Sequence, residues 1–95
     1  INEYEMIHIY NLKNGERFST YAIKAEAGSG VVTLNGAAAF KGSRNDLVII
    51  CTYAYLDSKD VKKHKPKLVY FKEGTNVIHE TKSSIKVQKN NIINL

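Results

Sequence analysis

From Tyr4 to Leu12 the side chains alternate, with Met6, His8, Tyr10 and Leu12 on one parity and Ile7 and Ile9 on the other. Both parities are largely apolar, which predicts a well-buried strand. Asn14-Gly15 supplies the positive φ of a tight hairpin. Glu16 to Lys24, rich in Phe, Thr, Tyr and Ile, predicts the returning strand. Along it Arg17, Ser19, Tyr21 and Ile23 fall on one face, and Phe18, Thr20 and Ala22 on the other. Gly28-Ser29-Gly30 predicts a turn, Val31 to Leu34 a short strand, and Ala37-Ala38-Ala39 a small turn or one helical turn after Asn35-Gly36. Gly42 to Asn45 predicts a loop, and Asp46 to Tyr55, the most apolar stretch, the strand at the centre of the core. Asp57-Ser58 can cap a short helix through Lys63, with Asp60 in its first turn and lysines in its last. Pro66 forbids its continuation. Lys67 to Lys72 predicts a strand, Glu73-Gly74-Thr75-Asn76 a turn, and Asn76 to Glu80 a last strand.

Many short strands with regular turn signals predict an all-β chain, a small β-barrel with one short helix. The barrel is expected over residues 1–80, and residues 81–95, polar and rich in Lys and Asn, are expected to form a flexible C-terminal tail. A domain of 95 residues buries a modest fraction of its surface, so assembly into an oligomer is expected. The chain begins at Ile1 rather than Met, and the strand pattern starts almost at once. The expectation is a piece of a longer polypeptide, with some partners of the opening strand upstream.

Composition changes this picture little. Hydrophobic residues make up 43% and charged residues 24%, a globular balance. The formal net charge of +5 fits nucleic acid, an acidic membrane surface, an anionic substrate, or nothing beyond solubility. The single cysteine, Cys51, excludes an intrachain disulfide and an all-Cys zinc site, and its apolar neighbours favour a small core residue over a nucleophile. His8, His64 and His79 lack metal-ligand spacing, and no metal is expected. No apolar stretch approaches the ~20 residues of a membrane-crossing helix, and no signal peptide is visible. A cytoplasmic protein with no membrane partner is expected.

Two short motifs carry candidate chemistry. Arg17, Ser19 and Tyr21 form either a solvated strand face or the wall of a polar pocket. In the second case Arg17 offers a planar fork of donors to a carboxylate, and Tyr21 can hand over a proton where a carbanion forms. Asn35-Gly36-Ala37-Ala38 is either a tight turn before small core residues or a place where a ligand meets the backbone, with the Asn35 amide as an added donor to an oxyanion. Lys59, Lys62, Lys63, Lys65 and Lys67, with His64, make a basic stretch. It reads as solvated surface, or as a phosphate-backbone contact without the interleaved aromatics of a single-strand binder.

Together the motifs Asn14-Gly15-Glu16-Arg17-Phe18-Ser19-Thr20-Tyr21-Ala22-Ile23 and Leu34-Asn35-Gly36-Ala37-Ala38-Ala39 resemble the α chain of the pyruvoyl-dependent aspartate decarboxylases. The likeness continues through Asp46-Leu47-Val48-Ile49-Ile50 and Lys65-Pro66-Lys67 and covers residues 1–72. The resemblance implies a double-psi β-barrel, assembled as a homotetramer with active sites between neighbouring subunits. It implies conversion of L-aspartate to β-alanine and CO2 for pantothenate and coenzyme A synthesis. The implied cofactor is a covalent pyruvoyl group, made when the proenzyme cleaves itself at a Gly-Ser bond, and the implied partner is the chain's own N-terminal β chain.

By position, Tyr21 resembles the family's proton donor and Arg17 the arginine that fixes a substrate carboxylate. Thr20 resembles a threonine that contacts substrate and assists self-cleavage. Asn35 resembles the cleavage-site asparagine, Gly36, Ala37 and Ala38 the backbone substrate-binding turn, and Tyr10 an aromatic pocket wall. Strand parity points Thr20 away from Arg17 and Tyr21, so a twist or bulge must join them, or the two faces serve different sites. The pyruvoyl residue and a substrate-contacting lysine are expected upstream of Ile1, and Gly28-Ser29, in a hairpin turn, is not the cleavage site. Asn45 stands where the family favours glycine, and asparagine tolerates positive φ.

A non-catalytic β-barrel binding module, for RNA or another anionic partner, is the alternative, with the lysine stretch as its footprint. A degenerate homologue is a third reading, against which Arg17, Thr20, Tyr21 and Asn35 all stand intact. On the enzyme reading no nucleic-acid partner is expected.

Overall fold

The computed structural model describes residues 1–87 and is mainly β. Its strands are β1 (Met6–Asn11), β2 (Arg17–Tyr21), β3 (Val48–Cys51), β4 (Leu68–Phe71) and β5 (Ile78–Lys82). A 3-10 helix spans Gly36–Lys41, and one short α-helix, α1, spans Ser58–Val61. The chain divides after Tyr55 into two compact units.

In the first unit an antiparallel sheet runs in the order β2-β1-β3. β1 is therefore the central strand, and its Ile7 and Ile9, at 7% and 3% exposure, form the core. Tyr4 adopts a positive φ of 66°, which no strand residue takes, so β1 starts at Met6 rather than at Tyr4. Only one of its faces is well buried: Met6 is exposed, and His8 and Tyr10 are half-buried. The Asp46 to Tyr55 stretch is shorter and less central than its hydrophobicity predicts. Only Val48–Cys51 forms a strand, it lies at the sheet edge, and Leu47, Ile49 and Ile50 are exposed while Cys51 is half-buried. Val31 to Leu34 forms no strand, because no ladder partner meets it among the described residues.

The β1–β2 hairpin closes as its sequence requires. Gly15 supplies φ +75°, and Asn11 donates its backbone N–H to the carbonyl of Glu16 at 2.8 Å. Asn45 takes φ 72° in the loop before β3, as its side chain permits.

A polar knot ties these pieces together. Asn11, 3% exposed, donates its amide to the Lys41 carbonyl at 3.2 Å and to Asp46 Oδ2 at 2.9 Å. Its Oδ1 accepts the Lys13 N–H at 2.8 Å. Asn14 also donates to the Lys41 carbonyl, and the Ser43 N–H reaches Asp46 Oδ2 at 2.8 Å. One side chain thus links the hairpin, the end of the 3-10 helix and the start of β3. Gly42 fits closely there: a Cβ would sit 2.9 Å from Leu34 Cδ1 and 3.3 Å from Asn11 Nδ2, so a larger residue would make those side chains shift.

The Asn11 and Ser43 hydrogen bonds hold the Asp46 carboxyl below its ordinary 3.8. Its ionised form therefore stabilises the fold above the ordinary aspartate range, and that contribution fades as pH falls through the lowered value. Asn11→Ala should cost about 1–3 kcal/mol by stranding its partners. Thermal melting of the full-length protein checks this, and the variant should also lose part of the acid sensitivity that Asp46 confers.

In the second unit Asp57 occupies the N-cap of α1 without a side-chain hydrogen bond, and the helix stops at Val61 rather than Lys63. β4 and β5 pair antiparallel with a bulge at Tyr70/Phe71, across a turn in which Gly74 takes φ +72°. β5 runs two residues into the stretch expected to be a polar tail, and residues 88–95 of that tail lie outside the described residues.

Candidate active site

The β1–β2 register decides which candidate residues meet. Tyr10 lies opposite Arg17, His8 opposite Ser19 and Met6 opposite Tyr21, so all six share one face of the sheet. On the other side of β1, Tyr10 faces Ile49 and His8 faces Cys51. Thr20 lies opposite Ile7 on the reverse, buried face. No bulge interrupts this pairing, so within one copy of the sheet Thr20 is separated from Arg17 and Tyr21 by the sheet itself.

Arg17 stacks on its cross-strand neighbour, its guanidinium carbon 3.7 Å from the centre of the Tyr10 ring. Such a cation–π contact contributes about 0.5–1 kcal/mol at an exposed position. Among the described residues no carboxylate pairs with Arg17: Glu16 is taken by Lys41 at 3.1 Å and Glu80 by Lys82 at 3.8 Å. The stacked guanidinium therefore keeps its edge of N–H donors available for a carboxylate. Tyr21, 57% exposed, presents its hydroxyl on the same face.

Sequence reasoning passed over two features. Tyr53 lies just beyond β3, and its hydroxyl meets the Tyr10 hydroxyl at 2.6 Å. Its ring stands edge-on to His8, with centroids 5.2 Å apart and planes at 80°. The Tyr10 hydrogen bond, partial loss of water and the nearby Cys51 push the Tyr53 hydroxyl up to about 12, so it stays protonated. The available signal was the alternation Ile49, Cys51, Tyr53, which carries Tyr53 to the Tyr10 face. The second feature is the Asn11–Asp46 knot, hidden because a buried asparagine within a strand has no distinctive spacing.

Asn35 precedes the 3-10 helix in an extended conformation, φ −108° and ψ 155°, and its side chain makes no cap hydrogen bond. Gly36 follows at φ +61°, a conformation that glycine adopts without strain. Beyond its chain neighbours and its own helix, no atom of the described residues lies within 4 Å of where a Gly36 Cβ would sit, so its backbone is open to approach. The helix packs against β2, and its last carbonyl is held by Asn11, which belongs to the Ile7, Ile9 and Thr20 face.

One face thus holds an unpaired guanidinium, a tyrosine hydroxyl and an aromatic wall, while the reverse face carries Thr20 and is tied to the end of the glycine–alanine helix. The family model for aspartate decarboxylase matches residues 1–78. The chain belongs to the aspartate decarboxylase family. It is 51% identical over 88 residues to the aspartate 1-decarboxylase of Azotobacter vinelandii, a match covering 93% of this chain and 69% of that protein. The aspartate 1-decarboxylase of Hydrogenovibrio crunogenus is 50% identical over 93% of this chain and 67% of its own length. That of Pseudomonas aeruginosa strain LESB58 is 49% identical, over 93% and 69%. This is a family of enzymes, which sets aside the non-catalytic binding module. The match runs through the Lys59 to Lys67 stretch.

Proposed function

We propose that the protein decarboxylates L-aspartate to β-alanine and CO2 with a pyruvoyl group, in the cytoplasm, supplying pantothenate and coenzyme A synthesis. The observation that carries the reading is the guanidinium of Arg17 over the Tyr10 ring with no carboxylate partner among the described residues, on the face that also bears Tyr21. Arg17 binds a substrate carboxylate through two parallel N–H donors, and Tyr10 walls the pocket. Tyr21 delivers a proton to the substrate Cα after CO2 leaves.

The residues suit a small planar α-keto group: the open backbone at Gly36, the slight side chains of Ala37 and Ala38, and the uncommitted Asn35 amide leave it room and donors. Thr20 and Asn35 would hold it, and when bound it supplies the electron sink for decarboxylation. Its source, on this reading, is a serine upstream of Ile1, released by self-cleavage from an N-terminal β chain. The longer relatives leave room for such a segment.

The separation of Thr20 from Arg17 by the sheet supports a site shared between subunits, in which the Arg17 face of one copy meets the Thr20 face of another. A homotetramer built on a double-psi barrel satisfies this. It would also cover Met6, Val32, Phe40 and Leu47, all exposed in the single chain. Strands from the upstream segment would close the barrel along the outer edges of β2 and β3, which pair with no strand among the described residues.

Arg17→Lys tests the reading. It keeps the charge but loses the fork, and charge-assisted hydrogen bonds of this kind are worth about 1.5–3 kcal/mol each. Steady-state kinetics of the full-length enzyme should show kcat/KM for aspartate falling by about tenfold to a hundredfold. An unchanged value makes Arg17 a surface residue.

A further inference from the structure

Arg17 and Tyr10 are both long side chains on an open sheet face, and nothing in their pairing alone fixes the ring about its side-chain torsions. The fixing group is Tyr53. We propose that Tyr53 is a positioning residue that acts through the Tyr10 hydroxyl to hold the Arg17 guanidinium, and so sets affinity for the substrate carboxylate rather than the rate of the chemical step. This rests on the decarboxylase reading only for the identity of the carboxylate.

The linkage is continuous. The His8 ring supports the Tyr53 ring edge-on, the Tyr53 hydroxyl bonds the Tyr10 hydroxyl at 2.6 Å, and the Tyr10 ring carries the guanidinium at 3.7 Å. His8 and Tyr10 lie on the same strand face, one pleat apart, so β1 presents both rings to Tyr53 together. The strand register explains why the arrangement needs a residue beyond β3: opposite Tyr10 stands Ile49, whose side chain has no hydrogen-bonding group.

A tyrosine is suited to the task. Its hydroxyl stays protonated across the working range, with the Tyr10 bond itself the largest cause of its upward shift to about 12. Tyr53 therefore keeps this hydrogen bond without titrating. The Tyr10 ring is the support on which the guanidinium rests, so a ring that turns carries the fork with it and misaligns the carboxylate contact. Freely rotating, Arg17 would lose side-chain entropy at every binding event, and pre-organisation removes part of that cost before the ligand arrives.

The test uses the full-length, self-processed protein and two readouts: KM and kcat for L-aspartate, and the Kd of succinate by calorimetry. Succinate is a dicarboxylate probe without the reacting amine. Tyr53→Phe keeps the ring against His8 and removes only the hydroxyl. It should raise KM and the succinate Kd about fivefold each, the effect of one neutral hydrogen bond, with kcat changed by less than about twofold. Tyr10→Phe should do the same, and the double variant should be no worse than either single one, because both remove one bond. An unchanged succinate Kd in Tyr53→Phe overturns the inference, as do additive losses in the double variant or a fall confined to kcat. Should the wild-type protein bind succinate through Arg17 and Tyr53 yet release no β-alanine, the positioning role stands and the decarboxylase reading falls. Should it make β-alanine while Tyr53→Phe binds succinate normally, the reverse holds.

Discussion

Tyr21→Phe, introduced into the full-length protein, should fold, cleave itself and bind aspartate, yet lose a factor of about 10²–10⁴ in kcat, the usual contribution of a positioned proton donor. The change removes one exposed hydroxyl from the edge of β2 and leaves the ring in place. Tyr21 lies opposite Met6, outside the Asn11–Asp46 knot and apart from the buried Ile7 and Ile9 face, so little stability depends on it. The loss should be in kcat with KM close to wild type, because the proton is needed only after CO2 has left. Deuterium incorporation in heavy water at the amine-bearing carbon of β-alanine, the former Cα of aspartate, should fall in step with turnover. Full activity in this variant would transfer the proton-donor role to another group and remove the main reason for assigning a function to the Arg17 face.

Thr20→Val should act earlier, on maturation. Self-cleavage at a Gly-Ser bond requires the serine hydroxyl to attack the preceding carbonyl, which makes an oxyanion, and loss of one donor to such an anion typically costs ~10²–10³ in rate. Thr20 is half-buried on the reverse face of the sheet, opposite Ile7, so valine fits its space while lacking the hydroxyl. Uncleaved precursor should accumulate on a denaturing gel. Asn35→Ala should slow cleavage as well, since its side chain makes no cap hydrogen bond to the helix it precedes. Normal cleavage in both variants would confine these residues to holding the substrate or the turn.

These two predictions fall on opposite faces of one strand, and that division was legible in the sequence. Alternation along Arg17, Phe18, Ser19, Thr20 and Tyr21 separated them, and the uninterrupted β1–β2 register leaves them separated. The hairpin at Gly15, the positive φ of Asn45 and the helical turn after Gly36 were legible for the same reason, because each is dictated by the backbone preferences of a few adjacent residues. Strand order was not. The run Leu47-Val48-Ile49-Ile50-Cys51 has the hydrophobicity of a central strand, but it lies at an edge with most of its side chains exposed. Hydrophobicity reports how much surface a segment must bury and not which copy of the chain buries it. An edge strand that is apolar on both faces has the composition expected of a subunit interface. Tyr53 and Asn11 escaped notice because their roles depend on contacts 43 and 35 residues away in the chain, at Tyr10 and Asp46.

The measurement that bears most directly on the account is the fate of L-aspartate incubated with the purified full-length protein, followed by mass spectrometry of both the small molecules and the intact polypeptide. The account predicts two chain fragments, one beginning with a pyruvoyl group and continuing into this sequence, together with β-alanine formed in equal amount to the aspartate consumed. A polypeptide that cleaves and carries the pyruvoyl group but leaves L-aspartate untouched would contradict it.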